Sequence, residues 1–107
     1  MSVVMRIVQR FNHFHDKDFM ALEAEFAKLE KRHPHLPQGR RLRPISGMLP
    51  THTLIWEGEF DSLEAARAAL RAFENDPEHA ALFARQGPLI EEIRVEFYEK
   101  MELTECP

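Results

Sequence analysis

The chain has one cysteine, one tryptophan, one tyrosine and four glycines among its 107 residues. The lone cysteine, Cys106, has no partner within the chain, which excludes a framework stapled by internal disulfides. The glycines form no phosphate loop and no dinucleotide fingerprint, and no serine sits in a nucleophile elbow. No apolar run approaches the roughly 20 residues of a membrane-spanning helix. The opening MSVVMRIVQR carries arginines among its apolar residues and no small-residue cleavage pattern after them, so no secretory signal is expected. An excess of positive charge is missing too, since the net charge is -4. The short basic stretches KRHPH and GRRLRP lie among acidic segments, which argues against a nucleic-acid partner. A cytoplasmic protein with neither membrane nor nucleic-acid partners is the expectation.

What the chain does have is enough apolar residue, 44%, for one core of two layers. One domain over residues 1–107 is therefore expected. Residues 3–11, VVMRIVQRF, are rich in β-branched and apolar types, and their alternation sets Met5, Ile7 and Phe11 against Arg6, Val8 and Arg10. From Asp18 the period changes. Phe19, Leu22, Phe26 and Leu29 form the buried stripe of a helix, Glu23, Glu25, Lys28 and Lys31 its solvent side, and Pro34 its end. HPHLPQG is a loop, and RRLRPISGM, residues 40–48, reads as a weak strand that Pro44 and Gly47 push to an edge or a bulge.

THTLIWEGEF, residues 51–60, is a stronger strand with Leu54, Trp56 and Phe60 on one side and Thr53, Ile55, Glu57 and Glu59 on the other. Asp61 or Ser62 can cap the next helix, whose stripe is Leu63, Ala66, Leu70 and Phe73. Asp76 and Pro77 start a short helix anchored by Leu82 and Phe83, and Gly87-Pro88 stops it. Residues 89–103 alternate again, with Ile93, Val95 and Phe97 against Glu92, Arg94, Glu96 and Tyr98. Strand, helix, strand, strand, helix, strand is the α+β, ferredoxin-like βαββαβ plan: a four-stranded antiparallel sheet with its helices on one face.

The helices are expected to cover the face of Ile7, Trp56 and Val95. The other face then carries Arg6, Val8, Arg10, Ile55, Glu57, Glu59, Arg94, Glu96 and Tyr98. Left wet, Val8, Ile55 and Tyr98 make that face unusually apolar, and its charges are disposed to pair across strands. A second copy stacking the same face back is the expected remedy, so the candidate interface is Arg6, Val8, Arg10, Ile55, Glu57, Arg94 and Glu96.

GMLPTHTLIWEGEFDSLEAARAALRAFENDPEHAALF resembles the NIPSNAP-like group of the dimeric α+β barrel superfamily, through the strand HTLIWEGEF, the helix opening SLEAARAA and the break NDPEH. Neighbouring groups with related patterns include small cofactor-free monooxygenases and haem-degrading proteins. The resemblance implies a homodimer whose sheets close into a barrel, with a cleft in each subunit. It implies no single chemistry.

Candidate site residues follow from side-chain chemistry. In NHFHDKDF, His13 and His15 share a face if the strand persists, yet no Cys/His pair at suitable spacing supplies further zinc ligands. His33 and His35 lie about 20 Å away beyond the helix. The stretch reads as a corner in which Asp16 or Asp18 caps the helix, and no metal is expected. His52, Trp56, His79 and Tyr98 are the candidate ligand-binding residues, because histidine and tyrosine handle protons and tryptophan lines apolar cavities. Two readings stand. One is a small-ligand-binding protein with a cleft between sheet and helices; the other is a cofactor-independent monooxygenase or isomerase for a small aromatic or polyketide-like substrate. No cofactor is expected, haem requiring an imidazole that faces a porphyrin-sized cavity.

Overall fold

A computed structural model describes residues 2–103 and leaves Cys106 outside the described residues. The chain runs β1 (Ser2–Phe11), α1 (Asp16–Arg32), β2 (Arg40–Leu42), β3 (Thr53–Phe60), α2 (Leu63–Asn75), α3 (Pro77–Gln86) and β4 (Ile90–Lys100), with 3-10 turns at His13–His15 and Gly87–Leu89. The strands form an antiparallel sheet ordered β2-β3-β1-β4, the α+β ferredoxin-like arrangement with β1 and β3 at the centre.

Register fixes the two faces. Ile7 lies between Trp56 and Val95, and Arg6 lies between Glu57 and Glu96. Because strand side chains alternate, Ile7, Trp56 and Val95 share the helix-covered face. Arg6, Val8, Arg10, Ile55, Glu57, Arg94 and Glu96 share the other, as the alternation predicts.

The core follows from the helical stripes. Phe19, Leu22, Phe26 and Leu29 of α1 are all buried, and Phe19 stacks on Phe11 with ring centroids 4.1 Å apart. Aromatic pairs of this kind add about 0.5–1.5 kcal/mol beyond their buried area. Met5, Leu36, Trp56, Ala66 and Phe73 form the neighbouring cluster. Ser62 Oγ accepts from the Ala65 amide at 3.0 Å to start α2, and Asp76 Oδ1 accepts from the His79 amide at 2.9 Å to start α3. Each cap satisfies an amide with no partner in its own helix. Trp56 fits its layer because two glycines make room. A Cβ at Gly58 would lie 2.7 Å from the indole Cη2, and one at Gly39 would lie 2.7 Å from the Glu57 carbonyl and closer still to the indole.

Several expectations are corrected. β2 holds three residues rather than nine, since Pro44 has no amide to give the ladder. The corner at NHFHDKDF is as expected, with β1 ending at Phe11 and His13 and His15 in the 3-10 turn, but neither Asp16 nor Asp18 caps α1; Asn12 Oδ1 accepts from the Phe14 amide. Asp16 instead accepts from Arg43 at 3.1 Å, and that bond, with a guanidinium beside it, holds its carboxyl below the usual range. Glu23 belongs to the buried stripe, not the solvent side. Leu63 and Leu70 are half-buried, Ala69 taking a buried place in α2. Phe83 stays exposed while Gln86 is fully buried, because α3 packs chiefly on α1 and α2 and only its inner edge meets them closely.

The helix-free face is also less apolar at its surface than expected. Val8 and Ile55 are only 7% and 8% exposed within one chain. Arg6 Nε donates to Glu57 Oε1 at 2.7 Å, and Arg40 Nε donates to Glu57 Oε2 at 2.7 Å. Burial pushes the Glu57 carboxyl up, but these two guanidinium bonds outweigh it and leave it below its ordinary value. Tyr98 is the member that remains exposed, with the Arg6 guanidinium 5.2 Å from its ring centre and its hydroxyl donating to Glu96.

Candidate functional site

A cleft of about 570 Å³ separates the helix-facing side of the sheet from α1 and α3. It exists because α3 rests on the other helices instead of closing over β4, which leaves Ile93 46% and Val95 38% exposed. Phe26, Trp56, Phe73 and Phe83 supply the aromatic wall, and Ile7, Ile93 and Val95 the aliphatic one. Its volume falls within the range of small-molecule sites, which pair apolar walls with a few convergent polar groups.

Those polar groups are present. Arg41, on the helix-facing side of β2, donates through Nε to Glu23 Oε2 at 2.6 Å and through both terminal nitrogens to Glu30, at 3.1 and 2.7 Å. Burial disfavours the Arg41 charge, yet the carboxylates of Glu30 and Glu23 more than restore it and raise its pKa. Trp56 Nε1 donates to Glu30 Oε1 at 3.3 Å, and Gln86 Nε2 donates to Glu23 Oε1 at 2.8 Å. A buried triad of this kind is held by geometry, because desolvation consumes most of its Coulomb attraction. Among the described residues, the buried amide oxygens of Gln9 and Gln86, two residues of the cleft lining, have no hydrogen-bond partner, and neither does the hydroxyl of Thr53.

His79 reaches the cleft from the first turn of α3, with its ring 4.7 Å from that of Phe26 and 4.9 Å from that of Phe73. Burial between these rings lowers its pKa, the pull of Glu30 and Asp76 in the other direction notwithstanding. Its imidazole is therefore neutral near pH 7, able to accept or donate one hydrogen bond.

Of the four residues singled out from sequence, the fold brings Trp56 and His79 together and separates the other two. His52 lies at the end of the sheet near His13, ring centroids 5.5 Å apart, because it precedes β3 on the side of the first corner. Tyr98 points to the helix-free face, as its pairing with Val4 requires. His33 and His35 face Glu78 and Asp76, at 2.9 and 3.5 Å. Among the described residues no three His, Cys, Asp or Glu side chains gather as a metal-ligand group. Sequence reasoning missed Glu23, Glu30, Arg41 and Gln86. Glu23 and Glu30 were findable: seven residues apart, they flank Phe26 in the same helical stripe as Leu22 and Leu29. Arg41 and Gln86 carry no such local signal.

No protein-family model matches the chain, and no curated protein matches it in sequence. Solved structures do. A NIPSNAP family protein from Agrobacterium tumefaciens superposes with a TM-score of 0.78 at 17% identity, covering 96% of this chain and 89% of that one. The fold is that of the NIPSNAP-like proteins. An uncharacterized NIPSNAP domain protein from Burkholderia xenovorans gives a TM-score of 0.72 at 20% identity, covering 100% and 99% of the two chains. The NIPSNAP-like fold also extends to SnoaB, a cofactor-independent oxygenase from Streptomyces nogalater, with a TM-score of 0.63, 14% identity and 95% coverage of both chains. No helix of the described residues is long and apolar enough to cross a membrane.

Proposed function

We propose that the chain is a single ligand-binding domain that takes a small, largely apolar organic molecule into the cleft between sheet and helices. The observation that carries this reading is the cleft of about 570 Å³, aromatic-walled and open over Ile93 and Val95, with buried polar groups at its inner end. Trp56 is the only tryptophan, so its indole N–H gives one unambiguous resonance at the site. Titration with 2-methoxynaphthalene, an uncharged apolar bicycle, is expected to move that resonance in a saturable way. Ala80→Phe, a change at an exposed residue of the cleft wall that keeps Trp56 the single indole, is expected to abolish the shift while leaving the fold intact. An indole resonance that stays fixed to millimolar probe would refute the reading.

A second reading, cofactor-independent oxygenation or isomerisation, is favoured by His79. A neutral imidazole held against aromatic walls is suited to taking a proton from a bound substrate. SnoaB, which has the same fold, is a cofactor-independent oxygenase. Turnover that falls at least a hundredfold in His79→Gln without loss of binding supports this reading; a substrate bound but never converted counts against it.

We also infer that two copies pair through their helix-free faces. Exposed Tyr98, the alternation of Arg6, Glu57, Glu96 and Arg94, and a face free of helices support a twofold contact in which each patch meets its own copy.

A further inference from the structure

His79 brings to the cleft an imidazole that the fold itself does not use. Its backbone amide donates to Asp76 Oδ1 at 2.9 Å, but among the described residues neither ring nitrogen has a hydrogen-bond partner. The side chain is half-buried, and neither nitrogen is sealed off as the Gln9 and Gln86 amide oxygens are. One nitrogen of a neutral imidazole is a hydrogen-bond acceptor. Just before it in the chain, Glu74 in the last turn of α2 lines the same cleft. Glu74 is exposed and joins no ion pair among the described residues. The two residues thus flank the break between α2 and α3. Phe83, 39% exposed, belongs to the same wall, and the face of an aromatic ring attracts cations. Further in, Glu23 and Glu30 oppose the single guanidinium of Arg41. Three carboxylates against one guanidinium leave the lining negative.

We propose that the cleft takes an organic amine: an apolar body lies against the aromatic wall, and a protonated amino group donates to the His79 imidazole and faces Glu74. This rests on the ligand-binding reading above and names the class of ligand. An acceptor nitrogen, a ring face and a carboxylate together replace part of the hydration that an ammonium gives up on entering. An anion meets the reverse situation. The lining repels it, and the guanidinium of Arg41 is already bonded to Glu23 and Glu30. An uncharged ligand gains from the apolar wall alone.

The test compares 2-naphthylmethylamine, 2-methoxynaphthalene and 2-naphthoate, which share a ring and differ in charge near pH 7, by titration of the wild-type protein. Dissociation constants come from the Trp56 indole resonance. The amine is expected to bind about tenfold more tightly than the ether, the worth of one charge-assisted hydrogen bond, and the naphthoate most weakly. Raising salt from about 20 to about 300 mM should shrink the amine's advantage, because Glu74 is open to solvent. Glu74→Lys should lower the ratio of amine to ether affinity by about threefold or more. His79→Phe, which keeps a ring and removes the acceptor, should lower it too. Glu102→Lys makes the same change of net charge at an exposed residue outside the cleft lining, and should preserve the ratio. An amine that binds no more tightly than the ether, or a ratio that falls as far in Glu102→Lys as in Glu74→Lys, overturns this inference and leaves the cleft as a binding site. Absence of binding by all three probes overturns both.

Discussion

Removing Arg41 leaves Glu23 and Glu30, each only 5% exposed, facing one another without a counter-charge. Breaking a buried ion pair by deleting one partner costs roughly 3–5 kcal/mol. The Arg41 side chain keeps 21% of its exposure, so water reaches the site and the lower end applies, about 3 kcal/mol. Arg41→Met preserves much of the aliphatic stem and so isolates the charge from the packing. In urea, with a slope of about 1.5 kcal/mol per molar for a domain of this size, the midpoint should fall by about 2 M at unchanged slope. Adding Glu23→Gln and Glu30→Gln should recover most of the loss. A midpoint within about 0.5 M of wild type, or no recovery in the triple variant, refutes the idea that Arg41 holds the polar end of the cleft together.

Gly39→Ala should displace Trp56, since the new methyl meets both the indole and the Glu57 carbonyl; a blue- or red-shifted emission with a lowered urea midpoint checks this, and an unchanged spectrum counts against the packing described. The buried His79 favours its neutral form in the folded state, so its contribution to stability is complete above the unfolded histidine pKa of about 6.5 and is lost as pH falls below it. The urea midpoint should therefore rise between pH 5.5 and 7.5 in wild type and rise less in His79→Asn; parallel profiles would contradict the burial argument. Tyr98→Asp, at a side chain 45% exposed in one chain, should leave folding intact and convert a dimer to a monomer in sedimentation at micromolar concentration. A wild-type protein that sediments as a monomer sinks the paired-face reading.

The order of elements and the assignment of side chains to the two sheet faces were legible because both depend on local periodicity. Ile7, Trp56 and Val95 share a face for no reason beyond the period of two. The caps at Ser62 and Asp76 were legible for a similar reason, each needing only an oxygen beside the first turn. The site was half legible. His79 and Trp56 carry their chemistry wherever they sit, but meeting in one cleft depends on how far α3 slides over β4, and no local pattern encodes that. Arg41 and Gln86 join Glu23 and Glu30 from elements that are distant in sequence. Val8 and Ile55, rightly placed on the helix-free face, are nonetheless buried within one chain. The alternation marks which face a residue takes, not what covers it.

The most direct test of the account is a crystal structure of the protein soaked with 2-methoxynaphthalene. The account predicts an ordered ring in the cleft, against the side chains of Phe26, Trp56 and Phe73. A cleft closed by its own side chains, or a ring bound only elsewhere on the surface, would contradict it.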